Sequence, residues 1–315
     1  MSGFQTGTQN VDHLTRSLVW SNQLKEVLKD ELMGAQYVNW LNEFPDGDTF
    51  VIPSIGEAVV RDYTENEPVV YDAMDTGEFQ FSITDYISSA TYITNKAKQD
   101  MFYMNQLVSS FVPEQSRAIG RRVETDIFAL QSQQTASDLN VINGANHRFI
   151  GSGSNETLDV SDFARALYAL KKANVPQRNL IAIVDPSVEF AINAITNISN
   201  VSNNPRWEGI IESGIGQDMS FIKNIYGFDV YTTNYLSDMN ETIDGKTTTA
   251  GKANMFFSAD AGVLPFVGAW RQMPTVESEY NKDRQREEYL TVARYGLKLF
   301  RPENLVVIGT DTDQV

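Results

Sequence analysis

The segment "YGLKLFRPENLVVI" (Tyr295–Ile308) joins two strand-like runs across a proline. The first run ends near Phe300. Arg301-Pro302-Glu303 breaks it, because proline has no amide hydrogen to give to a ladder. Leu305–Ile308 is then continuously apolar, close to the C-terminal end of the sequence, where chains usually fray. So apolar a run predicts a last strand buried in a core that earlier parts of the chain have built.

Working backwards, "RQMPTVESEY" and "YLTVARYGLKLF" read as strands flanking the hydrophilic "NKDRQREE". Residues 159–270 read as a compact α/β unit. Ser161 caps the helix "DFARALYALKKAN", with Asp162 in its first turn and Lys171 and Lys172 in its last. "LIAIVD" is a buried strand, and Pro186 opens the helix "PSVEFAINAI". "NIYGFDVYTTNYL" is strand, glycine turn, strand. "TIDGKTTTAGKAN" is a loop, and "MFFSADAGVLPFVG" is a strand with its exit. Ahead of this unit, "NVINGANHRFIGSGSNETLDV" is a turn-rich connector.

Further upstream, "NQLVSSFVPEQSRAIGRRVETDIFALQSQQ" (Asn105–Gln134) places Leu107, Phe111, Ile119, Val123, Ile127 and Leu130 on one helical stripe. Arg117, Arg121 and Arg122 lie largely off it. Pro113 kinks this helix or starts its second half, and Gly120 weakens it. The rod would be about 45 Å long. Residues 48–93 switch to period two: Phe79, Phe81 and Ile83 share one face, and Glu78, Gln80, Ser82 and Thr84 the other. Together with "DTFVIPSI" they form a two-armed β excursion over residues 50–84, reaching about 50 Å. A two-stranded ribbon is marginal in water, so it must lie on something else, such as another subunit. Residues 1–22 are polar, and "NQLKEVLKDELMG" is a short amphipathic helix with Gly34 as its C-cap.

The 315 residues carry a net charge of −16, no cysteine and two histidines. That charge argues against nonspecific binding to DNA or anionic lipid. Disulfides, thiol nucleophiles and cysteine-held metals are excluded. No apolar run approaches the ~20 residues of a membrane helix, and the N-terminus lacks a secretory pattern. The sequence therefore reads as a cytosolic product without a membrane, and Asn155, Asn197, Asn200 and Asn240 read as chance sequons.

Signals of chemistry fail one by one. "GIIESGIGQ" (Gly209–Gln217) imitates a phosphate loop, but Ile215 and Gly216 stand where lysine and a hydroxyl are needed. His13 sits in an arm and His147 in a loop, neither with a second histidine at ligand spacing. Asp46-Gly47-Asp48 and Asp311-Thr312-Asp313 are too short for a calcium loop. The abundant carboxylates read as solvated surface. No catalytic residue, metal site or cofactor is expected.

The order of parts is more specific than any motif. Val175-Pro176 through Asp185-Pro186, the turn Gly227-Phe228-Asp229-Val230, Tyr295-Gly296 and Arg301-Pro302-Glu303 occur in a sequence that resembles the major capsid protein of tailed bacteriophages, short-tailed phages being the nearest comparison. The resemblance implies an α+β fold with an N-terminal arm (1–45) and an extended E-loop hairpin (46–92). It implies a peripheral domain (93–158 and 271–300) with a spine helix over about 104–134, and an axial domain (159–270 and 301–315) whose sheet Leu305–Ile308 closes. It also implies a coat protein forming pentamers and hexamers of an icosahedral shell around double-stranded DNA. Implied partners are a separate scaffolding protein, a portal protein and a decoration or cement protein, with assembly in the bacterial host cytoplasm. Some members weld neighbours through an E-loop lysine; there is no lysine between Lys29 and Lys96 here, so that bond is chemically excluded.

On this reading the acidic ribbon residues Glu57, Asp62, Glu65, Glu67, Asp72, Asp75 and Glu78, with Arg61 alone among them, would meet Arg117, Arg121, Arg122, Arg284 and Arg286 of a neighbouring copy. Two rivals stand beside it. An encapsulin-like nanocompartment would need a cargo pocket, and an acidic soluble hydrolase would need a working carboxylate pair.

Overall fold

The computed structural model describes residues 32–41, 49–55, 62, 65, 76–100, 104–194 and 221–312. The body of the helix expected at "NQLKEVLKDELMG", most of the ribbon's distal part and "GIIESGIGQ" lie outside the described residues. β1 (Val38–Leu41), β2 (Thr49–Ile55), β3 (Thr76–Ser82) and β4 (Asp85–Thr94) precede the long helix Met104–Ala129. After it come β5 (Val141–Ile142), β6 (Ala145–Asn146), β7 (Arg148–Ile150), the helix Val160–Lys172, β8 (Leu180–Val184) and the helix Pro186–Ala194. β9 (Phe221–Ile225), β10 (Phe228–Thr232), β11 (Thr242–Ile243), β12 (Lys246–Thr247) and β13 (Gly251–Ser258) lead to β14 (Phe266–Asn281), β15 (Arg286–Leu299) and β16 (Val306–Asp311).

One sheet has the order β1-β14-β15-β4, with β1 parallel to β14 and the other pairs antiparallel. Period two divides β4 cleanly: Tyr86 and Tyr92 face solvent, while Ile87 and Thr91 turn inward. The long helix lies on the inner face through Ile119, Val123 and Ile127. Gln115 ties it down, donating to Thr91 Oγ1 at 2.8 Å and accepting from Thr291 Oγ1 at 3.1 Å. This helix runs unbroken through Pro113 and Gly120. The glycine serves close approach: a Cβ there would stand 2.9 Å from Leu32 Cδ1.

The second sheet has the order β7-β16-β13-β8-β10-β9. β16 is an interior strand, parallel to β7 and antiparallel to β13. Val306 and Ile308 enter a core with Phe163, Phe228 and Phe256, while Leu305 and Val307 enter another with Tyr37 and Phe257. Both faces of the sheet are covered, which is why β8 and β16 are apolar without alternation. Asn254 fixes the strand order, donating to Ile308 O at 3.0 Å and Thr310 Oγ1 at 2.8 Å and accepting from Asp185 N at 2.9 Å. The break at Pro302 is a 3-10 turn, Pro302–Asn304, held by Asn304 against both backbone groups of Ser258 at 2.9 Å.

Several local expectations change. The helix Val160–Lys172 starts two residues earlier than read, and its cap is Asp159, not Ser161. Asp159 and Asp162 form a reciprocal capping box, with Asp162 Oδ2 accepting from Asp159 N at 3.0 Å. The connector at 140–160 contains the hairpin β5–β6, turned by Asn143-Gly144 at φ +50° and +78°. The loop at 242–254 contains the hairpin β11–β12, turned by Asp244-Gly245 at φ +51° and +77°, and the start of β13. His147 is fully buried between β6 and β7, not in an open loop. The expected boundary at 271 falls inside β14, whose Phe266–Ala269 already pair with β1. The second sheet draws β7 from before residue 159 and β16 from after 301.

Candidate functional site

The ribbon is the antiparallel pair β2–β3, in register from Thr49↔Ser82 to Ile55↔Thr76, and among the described residues it pairs with no other strand. Glu78 and Gln80 point to solvent, as does Val51. Among the described residues the ribbon is fixed at its base. Phe81 and Ile83 are buried with Val267 and Ala269, and the Phe79 ring meets Phe300 edge-on at 4.9 Å. Lys298 donates to Gln80 O at 2.7 Å and lies 4.7 Å from the Phe79 ring centre. The chain crosses β15 at Gly296, where a Cβ would meet Ser82 O at 2.7 Å and Ile83 Cα at 2.9 Å. That crossing gives the Tyr295-Gly296 pair its physical reason.

A second fixed point is the segment 32–41 strapped across the long helix. Glu124 is buried on that helix, and its carboxylate accepts from Met33 N at 3.0 Å and from Gly34 N at 2.9 and 2.7 Å. Burial pushes Glu124 above the usual carboxylate range, opposed by those two amides. Beyond it, Tyr37 packs edge-on against Phe257 at 5.3 Å, and Trp40 stacks on Trp270 at 5.1 Å. Burial, with the nearby Tyr231, Glu124 and Asp229, pushes the Tyr37 hydroxyl up to about 12.

At the far end of the helix the fully buried Arg148 joins three elements. It donates to Glu241 at 2.6 and 3.0 Å and to Gln131 Oε1 at 2.8 Å. Burial works against the Glu241 charge, but the Arg148 hydrogen bond, the Ser137 amide and the Arg148 charge hold it below the usual range. Nearer the ribbon's base, Tyr295 donates to Asp126 at 2.5 Å. Asp85, facing Tyr295 in register, is pushed up by burial and by Asp126 against the opposing Arg122.

Of the residues expected to join copies, Glu57, Arg61, Glu67, Asp72 and Asp75 lie outside the described residues; Asp62, Glu65 and Glu78 are exposed. Arg121 pairs with Glu114 on its own helix, and Arg122 with Asp126 at 3.1 Å. Arg117 lies half-buried on the same helix. Arg286 pairs with Glu288 at 2.6 Å and covers the Tyr92 ring at 4.3 Å, leaving Arg284 exposed at the β14–β15 turn. Sequence reasoning missed Glu124 and Arg148 altogether, since their partners stand far away along the chain. Among the described residues no group of His, Asp or Glu could hold a metal ion, and Asp311 instead accepts from Thr249 N and Oγ1 at 3.2 and 3.1 Å.

Among the described residues the ribbon is anchored at its base and pairs with no other strand, an arrangement suited to joining copies. The family model described as "Phage capsid protein" matches residues 77–308. No curated protein matches the sequence. Among solved structures the chain is similar to one from Mycobacterium phage Che8, at 18% identity and TM-score 0.67, over 92% of this chain and 95% of that one. It is similar to the capsid structure of Cyanophage P-SCSP1u, at 14% identity and TM-score 0.70, over 98% and 96% of the two chains. It is also similar to the capsid of Cyanophage Pam1, at 13% identity and TM-score 0.67, over 100% of both. At these identities the likeness is one of fold.

Proposed function

The chain belongs to the phage capsid protein family, and from that premise we propose how its copies are joined. It is a structural major capsid protein, a component of the virion that self-assembles into a shell and performs no catalysis. In our reading the copies form pentamers and hexamers, and the ribbon of one lies across the long helix and four-stranded sheet of the next. The observation that carries this is a ribbon fixed at its base and otherwise without a strand partner among the described residues. Such a hairpin gains stability by covering another surface.

The ribbon's acids, from Glu57 to Glu78, would face Arg117, Arg121 and Arg122 of the neighbour. Exposed pairs contribute about 0–1 kcal/mol each, yet each repeats around every rotation axis of a closed shell. Arg121 and Arg122 already pair within the chain with Glu114 and Asp126, so a neighbour's acids would compete with or add to those pairs. Assembly would take place in the bacterial host cytoplasm with a separate scaffolding protein and a portal protein, and a cement protein could decorate the finished shell. The net charge of −16 suits an interior that holds DNA without gripping it.

Negative-stain microscopy of the chain co-expressed with its neighbouring open reading frames tests the reading; closed shells are expected. Light scattering that finds a stable monomer with the ribbon folded onto its own body overturns it. Reversing the charge of Arg121 and Arg122 should reduce assembly and alter its salt dependence, and no change in either would remove the ribbon–arginine contact.

A further inference from the structure

Beyond the ribbon, the β14–β15 hairpin carries a surface of its own. β1 pairs with Phe266–Ala269 alone, so among the described residues the rest of β14 has no strand on that side. From Met273 to Tyr280 every residue is exposed. Met273, Val276 and Tyr280 are 63%, 39% and 42% exposed, and Leu290 across the ladder is 36% exposed. Free edges of this kind invite another chain.

Charge says which chain. The side chains of Glu277 and Glu279, two residues apart on one face of β14, make no hydrogen bond or ion pair with the described residues, whereas the neighbouring Glu287 and Glu288 are paired with Lys98 and Arg286. At the turn just beyond, Lys282 and Arg284 are exposed, with Asp283 between them; neither makes an ion pair among the described residues, although the Arg284 charge also acts on Glu288. One hairpin thus presents an acidic open flank and a basic tip, and among the described residues no ion pair joins Glu277 or Glu279 to Lys282 or Arg284. We propose that the tip of one copy, Lys282 and Arg284, docks against the β14 flank of the next copy at Glu277 and Glu279. The contact is head-to-tail, two different patches meeting, and such contacts close when copies are arranged around a rotation axis. It gives Arg284, which the sequence alone had set against the ribbon, a different partner from Arg117, Arg121 and Arg122, and it rests on the shell reading above.

A charge swap tests it, read as the yield of closed shells from cells co-expressing the neighbouring open reading frames. Glu277→Lys with Glu279→Lys, or Lys282→Glu with Arg284→Glu, should each cut the yield by about tenfold or more, since like charges then face each other across the contact. All four changes together should bring the yield back to within about threefold of the wild type, because opposite charges face again. All sites are exposed, and circular dichroism of each variant checks that it folds. Two-site variants that assemble like the wild type, or a four-site variant no better than the worse of them, would overturn the contact while leaving the shell intact. A wild type that forms no shell would instead overturn the shell reading and this contact with it.

Discussion

Replacing Glu124 by alanine should free the segment 32–41 from the long helix. The carboxylate is the acceptor for two buried amides, Met33 N and Gly34 N. Each orphaned donor costs about 1–3 kcal/mol, so the pair should lose about 2–6 kcal/mol of local stability. Hydrogen exchange at those two amides is the assay, and protection should fall by at least about thirtyfold, which corresponds to about 2 kcal/mol. The pH dependence adds an independent check. Burial raises the folded carboxyl above its ordinary value of 4.5. Just above that value the strapped form holds a proton that the detached form has lost. Opening free energy should therefore fall as pH rises through this window, by at most about 1.4 kcal/mol per unit, and level off above the folded value. Glu124→Gln cannot titrate, so its opening free energy should be flat across the same range. Unchanged protection in the alanine variant, or wild-type protection that rises with pH through the window, would refute the clasp.

Gly296→Ala places a methyl group 2.7 Å from Ser82 O; backbone cannot swing aside, so urea unfolding should show a loss of about 1–3 kcal/mol and the ribbon should become easier to cleave. Removing one partner of the Arg148–Glu241 pair, as in Arg148→Met, should cost about 3–5 kcal/mol, while Arg148→Met with Glu241→Leu should regain most of it; equal losses in both variants would mean the pair is not the cause. Because no lysine lies between Lys29 and Lys96, boiled shells should run as single chains on a denaturing gel, and a ladder of linked chains would show a bond formed elsewhere.

The sequence made the parts legible wherever one local period decided them. Leu305–Ile308 could be read as a buried strand because a run with no polar alternation needs cover on both faces, and β16 has it. Pro186 and Gly227 were readable because φ restriction and φ freedom act at single residues; Gly227 sits at +90°. Asn143-Gly144 and Asp244-Gly245 carried the same kind of signal and went unread, since their strands are too short to show period two. Glu124 and Arg148 were hidden for a different reason. A charged residue on a helix or strand looks solvated until a segment far along the chain covers it, and nothing local announces Gly34 or Glu241.

A shell protein also buries surface at two stages, and the sequence pattern reports them unequally. Period two in β4 separates inward Ile87 and Thr91 from outward Tyr86 and Tyr92, but it cannot distinguish an outward face that meets water from one that meets another copy. The fold makes that distinction by subtraction. Once the chain's own core is filled, six of the eleven large apolar side chains left exposed among the described residues lie on the four-stranded sheet: Tyr86, Tyr92, Met273, Val276, Tyr280 and Leu290. Scattered singly, such residues would need no explanation; on this sheet Tyr86, Tyr92 and Leu290 share one face and Val276 and Tyr280 the other, and we propose both faces as surface for association. The ribbon announced from sequence that it needed a partner because it is too thin to stand alone. The β14–β15 hairpin did not, since its strands belong to a stable sheet and their unmet edge exists only after that sheet has formed.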